Sequence, residues 1–291
     1  MGTSGTFGGS KSGLVPSWVD DPPSPPAAAP GSATPADGNG SGDGGDGGGG
    51  TDTQPPPAVY PPLRPPPAGS GLGAARGNLT RGARTSDGGA IRRGAGQYVS
   101  ASGGRRGAAR RMPSSRAAAG GIAGLARNFA TQGPAEALRP FNLEGLAGAP
   151  ALDVFVALTD ALCPPGGTID EAIARDAMLE TIGALAAEGV GNFDEMTPGD
   201  LQEFFIGVVS RSIEGKILNE VGTNSIRVSP DLAAVERAQR MLHDFVDGCV
   251  RDRFAASGSS LADVTSQQID DFVSDLYEAA FDLMQALGEA S

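Results

Sequence analysis

The sequence predicts an all-α protein in which a C-terminal bundle of about five helices follows a long disordered tail rich in glycine, proline and arginine. Three observations support this fold class. The 291 residues include 45 Gly and 23 Pro, and 15 of the prolines precede residue 76. Helix start signals recur from Asn142 onward, and apolar residues follow those signals at helical spacing. No alternating strand pattern of useful length appears.

The tail is predicted from the composition of its segments. Stretches such as 22–30, 38–50 and 55–67 carry too little apolar surface to offset a chain entropy of roughly 1–2 kcal/mol per ordered residue. We therefore assign residues 1–120 to a disordered tail. Residues 121–291 are assigned to one acidic helical domain, because that length suits a single hydrophobic core.

The net charge of −12 conceals three unlike parts of the chain. Residues 1–75 hold two cationic side chains against six aspartates, a net charge of −4. Residues 76–127, which we call the arginine segment, hold eleven arginines against Asp87 alone, a net charge of +10. Residues 128–291 hold 27 acidic and nine basic side chains, a net charge of −18. The arginine segment, predicted to be a basic linker, therefore faces its own acidic domain as well as any external polyanion.

The cysteine count and the hydropathy of the sequence limit the cellular compartments in which the protein is expected. Cys163 and Cys249 are too few for a disulfide framework, and no apolar run approaches the roughly 18 residues that a membrane span needs. The N-terminus also lacks the charged region and apolar core of a secretory signal. We predict a cytoplasmic protein with no membrane partner.

Two short motifs in the tail predict interaction sites. A small residue follows Met1, so Met1 can be removed, and this leaves a free and unhindered α-amine on Gly2. The apolar cluster from Leu14 to Asp21 contains Trp18, the sole tryptophan of the chain. Because Trp is a frequent interface anchor, this cluster predicts a docking peptide. The alternative is an incidental residue in a solvated tail.

The arginine segment is spaced by Gly, Ala and Ser, which suits neutralisation of phosphates by a flexible strand. Its only aromatic residue is Tyr98. The segment therefore has few side chains on which bases could stack, and contact with nucleic acid would be nonspecific. Tethering to the acidic domain or to a partner is an equal alternative. The candidate polyanion contacts are Arg92, Arg93, Arg105, Arg106, Arg110 and Arg111.

Four helices are predicted from their first turns. In each, a capping residue is followed either by an acidic or amide side chain three positions later or directly by a proline. Apolar stripes accompany these signals, and a stripe from Leu152 to Leu162 predicts one more helix. Each stripe must be buried against a neighbour, which predicts the bundle. The four signals are Thr168 with Glu171, Thr265 with Gln268, Thr197-Pro198 and Ser229-Pro230.

Candidate catalytic and metal-binding groups are sparse. His243 is the only histidine, so a Ser-His-Asp triad can form only around it, and no nucleophile-elbow motif is present. The two cysteines lack the paired spacing of a zinc site. Carboxylate pairs such as Asp270 with Asp271 lie near helix starts, where negative charge complements the helix dipole. We predict no catalysis, no metal and no cofactor; an enzyme using His243 is the third hypothesis, in which His243→Ala loses function without loss of folding.

Several runs of residues together resemble the QatB family. QatB is the small component of the bacterial Qat anti-phage defence operons. The likeness covers the extreme N-terminus and most of residues 113–291, whereas the linker matches only in composition. The runs are Met1-Gly2-Thr3-Ser4, Val15-Pro16-Ser17-Trp18-Val19, Phe155-Val156-Ala157-Leu158-Thr159-Asp160, and residues 163–175.

The resemblance implies partnership with an ATPase, a QueC-like enzyme of the QatC type and a TatD-like nuclease. QueC enzymes act on 7-deazaguanine precursors using ATP and metal, and such an enzyme within a defence operon needs an acceptor. Our first hypothesis is a noncatalytic defence component whose Gly2 accepts a deazaguanine-type modification. In this hypothesis the enzyme recognises Thr3 and Ser4, and Trp18 is the docking anchor. The helical domain binds partners. The second hypothesis is a nucleic-acid-associated adaptor or scaffold that uses the arginine segment and binds in a salt-sensitive way.

Overall fold

The structure, a computed structural model, describes residues 71–165, 167–222 and 232–291. This part of the chain forms ten α-helices and no β-strand, so the all-α class is confirmed with more helices than the five we predicted. A π-helical turn, Leu218–Gly222, extends the eighth helix. The helices are α1 (Leu72–Thr85), α2 (Gly88–Ala101), α3 (Gly104–Arg110), α4 (Pro113–Gln132), α5 (Pro134–Leu138), α6 (Ala151–Leu162), α7 (Ile169–Glu188), α8 (Pro198–Ile217), α9 (Leu232–Ala256) and α10 (Ile269–Glu289).

The helical domain begins at Leu72 rather than at residue 121. We assigned residues 76–120 to a disordered basic linker, and that assignment is wrong because α1, α2, α3 and the start of α4 occupy this stretch. We based the assignment on the scarcity of large apolar side chains. These helices instead bury mainly small side chains, including Ala75, Ala90, Ala95, Ala108 and Ala109. The part of the predicted tail before residue 71 lies outside the described residues.

α1 and α2 form a helical hairpin whose packing depends on glycine. A Cβ atom at Gly94 would lie 2.7 Å from Cγ of Leu79, and a Cβ atom at Gly82 would lie 2.6 Å from Cδ1 of Ile91. Leu79 and Ile91 therefore fill the space above the two glycines, and both are about 1% exposed. Close approach of the two helices at these glycines lets a segment with few large apolar residues bury the ones that it has.

α10 closes the fold by crossing α2 and packing on α3. Gly96 and Gly288 face each other at the crossing with α2. A Cβ atom at Gly96 would lie 3.0 Å from Cα of Gly288. α10 also buries Tyr277, whose hydroxyl lies 2.7 Å from the hydroxyl of Ser212 on α8. The last helix therefore joins the first helices of the domain to the rest.

Aromatic side chains fill the centre of the remaining helices. Phe155 of α6 stacks on Phe204 of α8 with ring centroids 4.0 Å apart. Phe193 meets both Phe155 and Phe129 edge-on. The apolar stripe that follows the predicted helix start at Thr197 is buried at all of its positions, which are Leu201, Phe204, Phe205 and Val208.

The predicted helix starts have three different outcomes. Those at Thr168 and Thr197 are confirmed, and each forms a reciprocal capping box. The start after Thr265 is wrong in position, because Thr265 belongs to a turn that precedes α10 and the helix begins at Ile269. The fourth signal, Ser229-Pro230, lies outside the described residues.

Candidate functional site

The residues to which we assign modification and docking, Gly2, Thr3, Ser4 and Trp18, lie outside the described residues. They remain predictions. The sites described below belong to the helical domain, where the six candidate arginines and the sole histidine are located.

Two of the candidate polyanion contacts lie on α3 and pair with acidic residues of α10. Nη1 of Arg105 lies 3.1 Å from Oδ1 of Asp282. Nε of Arg106 lies 3.4 Å from Oε2 of Glu278. All four side chains are partly exposed, so each pair contributes at most about 1 kcal/mol. Arg105 and Arg106 therefore agree with the alternative in which the arginine segment contacts its own acidic domain.

The candidates on α2 and at the end of α3 differ in their partners. Arg93 pairs with Asp87 at 3.4 Å and donates a hydrogen bond to the carbonyl of Ser291. Arg92 and Arg110 are exposed, and neither forms an ion pair with a described residue. Contact of the six arginines with a polyanion stays a prediction, and Arg92 and Arg110 are the members whose guanidinium groups have no acidic partner in this part of the chain.

The sixth candidate, Arg111, belongs to a buried charge cluster, formed by Arg111, Asp170, Lys216 and Glu220. Nζ of Lys216 lies 3.5 Å from Oε1 of Glu220 and 3.8 Å from Oδ1 of Asp170. Nη2 of Arg111 lies 3.2 Å from Oε2 of Glu220. Asp170 also accepts a 2.7 Å hydrogen bond from the N–H of Ser114, so it caps the first turn of α4. The cluster thereby connects α3, α4, α7 and α8.

The charges in this cluster alternate in sign, from Arg111 to Glu220, Lys216 and Asp170. Lys216 and Asp170 are each 8% exposed, and charges at this depth are tolerated only where opposite charges or hydrogen bonds compensate them. Tyr98 is buried beside the cluster, and its burial, together with the negative charge of Glu220, raises the pKa of its hydroxyl. The hydroxyl is therefore neutral at physiological pH.

His243 lines a charged groove between α7, α8 and α9. Its Nδ1 lies 2.9 Å from Oε2 of Glu214 on α8. The groove encloses a cavity of about 140 Å³. Arg251 crosses it and lies 2.6 Å from both Glu203 and Asp247. His243 is half-buried, and its partner is a carboxylate that joins two packed helices.

The hydrogen bond to Glu214 raises the pKa of His243, although burial acts in the opposite direction. A histidine whose folded pKa exceeds its unfolded value of about 6.5 contributes stability that is complete below that value and is lost as pH rises through the folded pKa. We therefore expect His243→Gln to lower the free energy of unfolding more at about pH 5.5 than at about pH 8.5. Urea unfolding of both proteins at each pH measures this difference. A difference that does not change with pH would contradict the ion pair.

The two cysteines are buried free thiols. Burial raises the pKa of both, and that of Cys249 reaches about 12. Both thiols are therefore protonated at neutral pH. Among the described residues, no group of three or more His, Cys, Asp or Glu side chains is arranged to hold a metal ion. Nor does this part of the chain contain a helix long and apolar enough to cross a membrane.

The family of the helical domain follows from comparison with known protein families. The family model described as "QatB: Qat anti-phage system associated protein QatB" matches residues 103–284, which is more than half of the chain. The chain belongs to the QatB family. Its family makes it a component of a Qat anti-phage system. No curated protein and no solved structure matches the chain.

The QatB match extends from the start of α3 through most of α10. It therefore includes the buried charge cluster and the groove at His243, whereas α1, α2 and Gly2 precede it. No local sequence pattern predicts the cluster. One signal was available: Lys216 is the only lysine after residue 11, and it lies beside Ile217 in an apolar stretch, where an unpaired charge would be costly.

Proposed function

We propose that this QatB protein is a noncatalytic partner and substrate of the QueC-like, QatC-type enzyme of its defence system, with Gly2 as the acceptor of a deazaguanine-type group. The family match is the observation that carries this proposal, because it implies that the other Qat components are partners. The α-amine of an N-terminal residue has a pKa of about 8. About a tenth of it is therefore unprotonated at pH 7. The unprotonated amine can attack a carboxyl group that ATP has activated as an acyl adenylate, so that an amide C–N bond forms, the acyl–phosphate bond breaks, AMP leaves and the amine loses a proton.

The helical domain is, in this proposal, the module that binds the enzyme, while the N-terminal residues present the acceptor. Thr3 and Ser4 contact the active site of the enzyme, and Trp18 docks beside it. The charge of the domain supports this role, because residues 71–291 carry a net charge of −8, which favours a basic partner surface. The ATPase and the TatD-like nuclease of the same system are further partners.

The mass of the N-terminal peptide tests the acceptor role. We expect a mass addition on Gly2 when the protein is expressed with the QueC-like enzyme, and no addition when it is expressed alone. Gly2→Glu is expected to abolish the addition, because a large second residue prevents removal of Met1 and keeps the amine of residue 2 within a peptide bond. Gly2→Ala is the matched control, because it preserves removal of Met1 and a free amine.

Variants in the docking residue separate recognition from chemistry. Trp18→Ala is expected to lower the modified fraction severalfold while leaving the amine of Gly2 available. An unmodified Gly2 in the presence of all the Qat enzymes would refute the proposal. Full modification and full phage protection in the Gly2→Glu protein would refute it as well.

A further inference from the structure

α1 has one face that no other described helix covers. Gly73, Gly77, Arg81 and Arg84 follow one another at spacings that place them along one side of this helix. All four residues are exposed, and a Cβ atom at either glycine would have no neighbour within 4 Å. Neither arginine forms an ion pair with a described residue. We call these four residues the open arginine face.

α10 carries a stripe of carboxylates at the same kind of spacing. Two of them, Glu278 and Asp282, are occupied by arginines of α3. The other two, Asp271 and Asp275, are exposed and form no ion pair with a described residue. They border a cavity of about 320 Å³ whose lining contains no lysine or arginine. Arginines of α3 therefore pair with the second half of the acidic stripe, whereas the carboxylates of its first half have no arginine partner among the described residues.

The contact between α3 and α10 shows that this stripe accepts arginines from a helix. α1 of the same copy packs on α2, α9 and the π-helical turn, and its arginines form no ion pair with the first turns of α10. We propose that the open arginine face of one copy docks on Asp271 and Asp275 of a second copy, so that Arg81 and Arg84 continue the pattern of arginine pairs along the stripe. This inference is independent of the proposed modification of Gly2.

Charge favours a second copy over a nucleic acid as the occupant of the open arginine face. Residues 71–291 hold 28 acidic against 20 basic side chains, and this net charge of −8 opposes a nucleic acid, which carries one negative charge per roughly 1.7 Å of duplex, far more than it opposes a second copy. The second copy also supplies a discrete acidic stripe. The face also lacks an aromatic residue on which a base could stack. Because the two surfaces differ, the contact is head-to-tail and produces a ring or an open chain of copies.

Sedimentation velocity of the full-length protein tests the contact. We expect association at about 50 mM NaCl that weakens at least tenfold at about 500 mM NaCl, because salt screens exposed ion pairs. The double variants R81E/R84E and D271R/D275R are each expected to be monomeric under both conditions. An equimolar mixture of the two variants is expected to associate again, because both of its interfaces then pair opposite charges. R92E/R110E is the matched control, with the same change in charge at exposed arginines of α2 and α3, outside the open arginine face.

Four results would overturn the proposal. They are a monomeric wild-type protein at low salt, association that either reversal leaves unchanged, an equal loss in the R92E/R110E control, and failure of the mixture to associate when both variants keep the far-UV circular dichroism of the wild type. Binding of a DNA duplex measures the competing occupant. If R81E/R84E loses DNA binding but associates normally, the open arginine face binds nucleic acid and the proposal is wrong.

Discussion

Replacing Gly288 by alanine is expected to lower the free energy of unfolding by about 2–3 kcal/mol. A Cβ atom at this position would lie 2.7 Å from the carbonyl oxygen of Arg92 and 2.9 Å from Cα of Gly96. Both are backbone atoms, so the clash is relieved only when α10 and α2 separate. Urea unfolding followed by circular dichroism measures the loss.

The matched control is the same substitution at Gly183, inside α7, where an added Cβ atom would have no neighbour within 4 Å. Alanine is a better helix former than glycine, so Gly183→Ala is expected to raise the free energy of unfolding by up to about 1 kcal/mol. The two substitutions should therefore act with opposite signs. If Gly288→Ala is neutral or stabilising, the close crossing of α2 and α10 is not a determinant of stability.

Replacing Lys216 by methionine is expected to lower the free energy of unfolding by about 3 kcal/mol. The methionine fills a similar volume, so the loss comes from the carboxylates of Asp170 and Glu220, which stay buried without the ammonium group between them. Removing one partner of a buried ion pair is more costly than removing both. Chemical unfolding of the variant measures the effect.

A double-mutant cycle separates charge from packing at this position. Lys216→Met combined with Glu220→Gln is expected to be more stable than the sum of the single losses predicts, by about 1 kcal/mol or more, because the second change removes one of the two carboxylates that lost the ammonium group. Arg110→Met is the control on an exposed cation and is expected to change stability by less than about 0.5 kcal/mol. Additive losses at Lys216 and Glu220 would contradict the cluster.

The sequence predicted the later helices better than the earlier ones, and the reason lies in the range of the signals. Thr168 and Thr197 mark the starts of their helices through hydrogen bonds within one turn. All the residues that form such a turn are neighbours in the sequence. The packing of α1, α2 and α10 depends instead on pairs such as Gly94 with Leu79 and Gly96 with Gly288. Until the partner helix is known, glycine in such a place is indistinguishable from glycine in a disordered segment.

The charged sites were harder to predict for the same reason. Asp170 lies in the first turn of α7, where a carboxylate is explained by the dipole of its own helix. In the structure it caps α4 and pairs with Lys216, both through contacts that join distant parts of the chain. Arg105 and Arg106, which we predicted as candidate polyanion contacts, pair with carboxylates of α10, and no local pattern in the sequence distinguishes them from Arg110.

The closing position of α10 has a consequence for when the domain can fold during translation. Arg105 meets a residue 177 positions later in the chain, and Arg93 meets one 198 positions later. At a synthesis rate of about 5–20 residues per second, α2 and α3 wait on the order of ten seconds or more for their partner. Gly2 leaves the ribosome earlier still. An enzyme that requires the folded domain would therefore act only on chains in which α10 has already been synthesised, long after Gly2 has emerged.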